Sequence, residues 1–253
     1  MSDEVLVERR GRTLVITINR PDARNAVNLA VSQGLADAMD ELDDSPELSV
    51  AVLTGRGGSF CAGMDLKAFA AGEYPYIPGR GMGFTERPPR KPIISAVEGF
   101  ALAGGTELAL ATDLVVASRS AQFGIPEVKR GLVAGGGGLL RLQQRIPYQK
   151  ALELALTGEN FTAGQGATLG FVNVLAEPGE ALTEALRLAD RITANGPLAV
   201  AVTKEILVKS RYWSEDEMWQ KQMELLAPVF ASADAQEGAK AFAEKRTPEW
   251  TGT

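Results

Sequence analysis

The sequence predicts an α/β fold, with a strand-and-helix core over residues 1–195 and a helical region over 196–253. Three observations predict it. Short β-branched runs such as "TLVITI", "LSVAVLT" and "LVVAS" alternate with segments of helical apolar spacing. Strand-strand-helix units recur loosely, without a fixed period. Beyond Gly179 the pattern is helical throughout, with breaks at Gly196-Pro197, Ser210–Trp213 and Ala231–Asp234.

"EVLVERR" and "TLVITIN", joined across Gly11-Arg12, read as a β-hairpin. "RPDARNA" interrupts the pattern. From Asn28, the spacing of Val31, Leu35, Met39 and Leu42 predicts a helix that Pro46 stops. "LSVAVLT" is a buried strand that feeds the glycine-rich loop "GRGGSFCAGMD", and a short helix starts near Asp65. Residues 72–91, rich in Gly, Pro and Arg, read as a long surface loop, a kind that is often functional. "PIISAVEGFALA" gives one or two strands, "GGTELALATD" a short helix and "LVVAS" a strand. "AQFGIPEVKRGLVAGGGG" reads as a loop-rich passage, leading into the helix "LLRLQQRI" that ends at Pro147. Residues 148–157 and 162–169 read as helices, and "FVNVLA" as the last strand.

The 253 residues are 45% hydrophobic and 23% charged, the profile of a soluble globular protein with a sizeable core. A net charge of -6 speaks against binding nucleic acid, because phosphate neutralisation needs a basic surface. No apolar run approaches the ~20 residues of a membrane span, and the first ten residues lack a signal-peptide layout. One cysteine, Cys61, excludes an intramolecular disulfide and suits the cytoplasm. The chain contains no histidine. That excludes Ser-His-Asp and Cys-His catalysis and the usual His-containing metal sites, and leaves proton transfer chiefly to carboxylates.

The glycine clusters match neither G-x-G-x-x-G nor G-x-x-x-x-G-K-[ST], so nucleotide binding has little support. "CAGMD" and "AGGTE" each lie after a strand at a helix start, where backbone N–H groups lack intrahelical partners. They are either ordinary strand-to-helix turns or, converging on one point, an oxyanion hole. Glu107 falls in the first turn of a helix with no polar face. It is either a charge favoured by the helix dipole, by roughly 0.3–1 kcal/mol, or a desolvated group with a raised pKa. Glu127, after Pro126, is either a loop Glu, solvated or paired with Lys129 or Arg130, or the second member of an acid–base pair.

Five stretches together resemble the crotonase, or enoyl-CoA hydratase, superfamily over essentially the whole chain. They are "NRPDARNAV", "SFCAGMDLK", "GFALAGGTELALATD", "FGIPEVKRGL" with "GGLLRL", and "AFAEKRTPEW". The resemblance implies a crotonase-type spiral of ββα units and a C-terminal region that builds homotrimers, usually paired into homohexamers. It implies an acyl-CoA substrate, with coenzyme A as part of the substrate and no cofactor or metal. The catalytic positions are then Glu107 and Glu127, with the N–H groups of Met64 and Gly104 as the oxyanion hole. Contacts to coenzyme A fall to Ala23, Arg24, Ala62, Asp65, Leu66 and Lys67. Phe242 and Lys245 match residues that reach the coenzyme A of a neighbouring subunit.

The implied reaction is reversible hydration of a trans-2-enoyl-CoA. Alternatives are a carnitinyl-CoA dehydratase-like activity, double-bond isomerisation and non-catalytic acyl-CoA binding. Two positions depart from the usual pattern, Met64 for the common Ala and Ala134 for the usual Pro. The loop "AGEYPYIPGRGMGF" and the ending "FAEKRTPEW" resemble the carnitinyl-CoA dehydratases within the superfamily.

Overall fold

The computed structural model describes residues 3–253. The hairpin forms as expected, from β1 (Val5–Arg10) and β2 (Thr13–Ile18), and α1 (Leu29–Asp44) follows it. Asn28 caps α1 by accepting from the Val31 N–H. The chain continues through β3 (Val50–Gly55), α2 (Leu66–Ala70), β4 (Ile93–Val97), β5 (Phe100–Leu102) and α3 (Gly104–Ala111). Then come β6 (Leu114–Ser118), β7 (Gln122–Gly124), α4 (Gly138–Arg145) and α5 (Tyr148–Thr157). β8 (Phe161–Thr162), α6 (Ala163–Thr168) and β9 (Val174–Ala176) complete the strands. Four helices finish the chain: α7 (Ala181–Thr193), α8 (Pro197–Lys209), α9 (Glu215–Phe230) and α10 (Ala233–Glu244).

The strands sort into two sheets. A six-stranded sheet has the order β1-β2-β3-β4-β6-β9, antiparallel only at β1-β2, and a three-stranded sheet has the order β5-β7-β8. In the units β4-β5-α3 and β6-β7-α4, the first strand joins the large sheet and the second the small one. Side chains alternate across the large sheet, as the period of two requires. Leu14, Ile16, Ala51, Leu53, Ile93 and Val97 face the main core with α1 and α3. Val50, Val52, Ile94, Ala96 and Val116 face a second core, closed by Ala181, Ala185 and Ala189 of α7. Small residues at i, i+4 and i+8 let that helix lie close to the sheet.

Two expectations need correction. The loop-rich passage at 122–130 holds a strand the sequence reading did not name: β7 pairs with β5 and β8, and Glu127–Arg130 form a turn of 3-10 helix. Three residues are too few to show a period, which is why β7 escapes a pattern reading. Residues 72–91 contain no helix or strand, yet they are not simply surface. Met82 and Phe84 are buried in the main core, so the segment is a strap anchored at its middle. Among the described residues, no helix is long and apolar enough to cross a membrane.

Candidate active site

The two glycine turns expected to converge do adjoin. Cys61 pairs with Ala101 as a short parallel bridge, with the Cys61 N–H donating to the Phe100 carbonyl and the Leu102 N–H to that of Cys61. Gly105 has no room for a side chain, since a Cβ there would stand 2.1 Å from the Cys61 oxygen. A Cβ on Gly63 would lie 3.4 Å from the Gly104 nitrogen, so the turns touch.

Met64 bridges Val27: the Val27 N–H donates to the Gly63 carbonyl (2.8 Å) and the Asp65 N–H to that of Val27 (2.9 Å). In a parallel bridge this pattern turns the Met64 N–H away from Val27. Gly104 opens α3, so its N–H has no acceptor within the helix. Neither N–H has a protein acceptor among the described residues. Ala103, which caps α3, sits at φ 51° and ψ -122°, a conformation costing a non-glycine residue about 1–3 kcal/mol. Strain of this kind persists where the surrounding structure fixes the backbone, and here it aims the first turn of α3.

Glu107 lies one turn into α3 and is 2% exposed. The Gly138 N–H donates to its Oε1 (2.9 Å). A Cβ at Gly136 would stand 2.9 Å from Oε2, and one at Gly138 would stand 2.8 Å from Cγ, so this backbone cradles the carboxylate directly. Burial pushes the Glu107 carboxyl above the ordinary range, opposed by the Gly138 and Gly136 N–H groups and by Arg141. Glu127 is half-buried and carries no ion pair to Lys129 or Arg130. Its Oε2 is buried without a hydrogen-bond partner among the described residues. Burial pushes its pKa up to about 7, and the neighbouring Glu107 adds to the rise. The two carboxyls therefore share one field, with different surroundings.

Two residues of the site went unseen in the sequence, both on the strap. Met82, buried, packs its thioether beside Gly104 and Gly136. The Tyr76 hydroxyl, on a residue 39% exposed, is pushed up to about 12 by partial desolvation and by the charges of Glu107 and Glu127. The signals available were the length of the unpatterned segment and its tyrosines.

The structure also gathers most of the expected coenzyme A positions. The Ala62 N–H donates to the Arg24 carbonyl (3.0 Å), which brings Ala23 and Arg24 beside Ala62–Lys67. Asp65 is committed elsewhere: it caps α2 through the Lys67 and Ala68 N–H groups and pairs with Arg20 at 3.0 Å. Arg24, Leu66 and Lys67 are exposed. Phe242, on α10, is 87% exposed, and Lys245 ends that helix; neither bonds to this cluster. The buried Cys61 thiol is pushed up to about 12 by desolvation, which makes it inert.

The model of the enoyl-CoA hydratase/isomerase family matches residues 8–253. A crystal structure of enoyl-CoA hydratase EchA1 from Mycobacterium marinum superposes with a TM-score of 0.98 and 69% identity, covering 100% of both chains. Enoyl-CoA hydratase EchA19 of Mycobacterium tuberculosis is 44% identical, over 98% of this chain and 96% of its own length. A carnitinyl-CoA dehydratase of Salmonella arizonae is 41% identical over the full length of both.

Proposed function

The chain belongs to the enoyl-CoA hydratase/isomerase family and has its crotonase fold, and from that premise we propose that it reversibly hydrates a trans-2-enoyl-CoA to a 3-hydroxyacyl-CoA. The observation that carries the reading is the glutamate pair: two carboxyls in one field, of which Glu107 lies one helical turn from the unpartnered Gly104 N–H, with the Met64 turn beside it.

In this reading the thioester oxygen accepts from the Met64 and Gly104 N–H groups. Glu107, whose ionised form the Gly138 and Gly136 N–H groups and Arg141 favour against the cost of burial, takes a proton from water as the oxygen bonds to C3. The C2=C3 π electrons move toward the thioester, and the two N–H donors hold the resulting enolate. Protonated Glu127 gives its proton to C2, and the glutamates later exchange protons with solvent. A donor of this kind is worth roughly 3–4 kcal/mol at the transition state. Isomerisation would need only one of the carboxyls, whereas the chain carries both, Glu107 bonded to the Gly138 N–H and Glu127 within its field. Ala23, Arg24 and the 62–67 stretch would hold coenzyme A. Arg24 and Lys67 suit its phosphates by charge. Residues 196–253 would form the oligomerisation region and bring Phe242 and Lys245 to a neighbour's coenzyme A. The exposure of Leu207, Tyr212, Trp219 and Phe230 on that region supports this assignment.

Purified protein is expected to consume crotonyl-CoA, read as loss of the conjugated thioester absorbance. The proton donor, Glu127, titrates at about 7, so kcat/KM for hydration should fall about tenfold per pH unit above that value. Absence of turnover across a panel of enoyl-CoA esters would falsify the hydratase reading, and a flat profile from pH 6 to 9 would remove Glu127 as the donor. Light scattering should give the mass of a trimer or hexamer; a monomer would sink the oligomerisation role of 196–253.

A further inference from the structure

The side chain of Tyr76 has a position that hydration itself does not require. Its hydroxyl lies 3.1 Å from where a Cβ on Gly135 would stand and feels the charge of both glutamates. The residue is 39% exposed, and its hydroxyl makes no hydrogen bond to the described residues. Tyr76 also lines a cavity of about 670 Å³ that opens beyond it, between the strap, the Gly135–Gly137 segment, α4 and α8.

That cavity has the opposite charge to the molecule. Of its basic residues, Lys204 pairs with Asp113, Lys209 with Glu205 and Arg90 with Asp43. Arg141, Arg145 and Arg211 have no ion pair among the described residues; Glu86, on the same wall, is the remaining acid. Arg141 and Arg145 bond backbone carbonyls of Thr85, Thr112 and Asp113, and Arg211 bonds Gln144. Arg141 packs on Gly137 as Glu107 packs on Gly136 and Gly138, so one thickness of backbone separates this charge from the catalytic carboxyl. An alkyl chain entering here would desolvate a hydroxyl and guanidinium groups and give them nothing in return. The trimethylammonium group of a carnitinyl chain would be repelled.

We propose that Tyr76 is a specificity-determining residue, its hydroxyl donating to an acceptor on the acyl group beyond the reacting carbons, and that the preferred enoyl-CoA ends in a carboxylate. The proposal rests on the acyl-CoA reading above and names its substrate class.

The test compares trans-2-hexenoyl-CoA with trans-2-hexenedioyl-CoA, of equal chain length but ending in a carboxylate, in the wild type and in Tyr76→Phe. A third substrate is an enoyl-CoA ending in trimethylammonium. The wild-type kcat/KM should favour the diacid ester by at least ~10-fold, with the cationic ester poorest. In Tyr76→Phe the diacid-to-monoacid ratio should fall by about 10-fold. A purely structural tyrosine would lower both rates together and leave the ratio unchanged, and that result overturns the proposal. So does a wild-type preference for the alkyl or cationic ester. Binding of the saturated counterparts, hexanoyl-CoA and the adipic acid monothioester, is measured alongside by calorimetry. Selective binding without turnover would sink the hydratase reading and leave this one standing; equal binding and equal turnover would sink this one alone.

Discussion

Glu107→Gln is expected to cut kcat for hydration by about 10²–10⁴-fold, the scale of a lost general base, and to leave the fold intact. The amide keeps an oxygen for the Gly138 N–H and fills the same cradle between Gly136 and Gly138. What it cannot do is accept a proton from water. Because burial raises the Glu107 pKa in the folded chain, its contribution to stability is complete below the ordinary carboxylate range and is lost as pH rises through the raised value. The Gln variant carries no such loss. Its melting temperature should therefore equal or exceed that of the wild type at pH 8, with the advantage shrinking toward pH 4. Hydration at near wild-type rate would take Glu107 out of the mechanism, whereas a variant that unfolds at pH 8 would contradict the burial argument.

Gly105→Ala is the change expected to do most damage to the site's frame. Its Cβ would lie 2.1 Å from the Cys61 oxygen, a backbone atom that is itself fixed by the Leu102 N–H (3.0 Å). No rotamer relieves such a contact, so the first turn of α3 and the 61–64 turn must separate. We expect a loss of ~3 kcal/mol or more in stability, within the range for overpacking against rigid backbone. Activity should fall further than stability requires, since the oxyanion hole proposed for the Met64 and Gly104 N–H groups would be pulled apart. Chemical denaturation and kcat at a temperature where the variant is folded check the two parts separately. A variant as stable and as active as the wild type would mean that the two turns are not rigidly joined.

Most of the architecture was legible because long, strongly patterned elements carry their own signal. The helix from Asn28, the strand at 50–55 and the breaks near 196, 210 and 232 all lie where spacing, prolines and caps put them. What escaped depends on other parts of the chain. β7 exists only because β5 and β8 flank it. Met82 and Phe84 are buried because the strap crosses the core, and nothing in "GRGMGF" alone says so. Glu107 was visible as an acid in an apolar helix, but its cradle was not. Gly136 and Gly138 are 29 and 31 residues further along the chain, and a glycine's function as empty space shows only against its neighbour. Asp65 shows the reverse case, a carboxylate in a promising motif whose oxygens are taken by its own helix and by Arg20.

The strap also bears on how such an enzyme changes over generations. The groups assigned to the chemistry are backbone amides and two glutamates set in the ββα frame, where nearly every substitution meets packed neighbours. Tyr76 sits on a segment with no helix or strand, held to the frame at Met82 and Phe84. A change at Tyr76 would therefore leave the glutamates and the two glycine turns in place. The proposed reaction and the proposed choice of acid thus rest on different parts of the chain, so one could change in descent without the other.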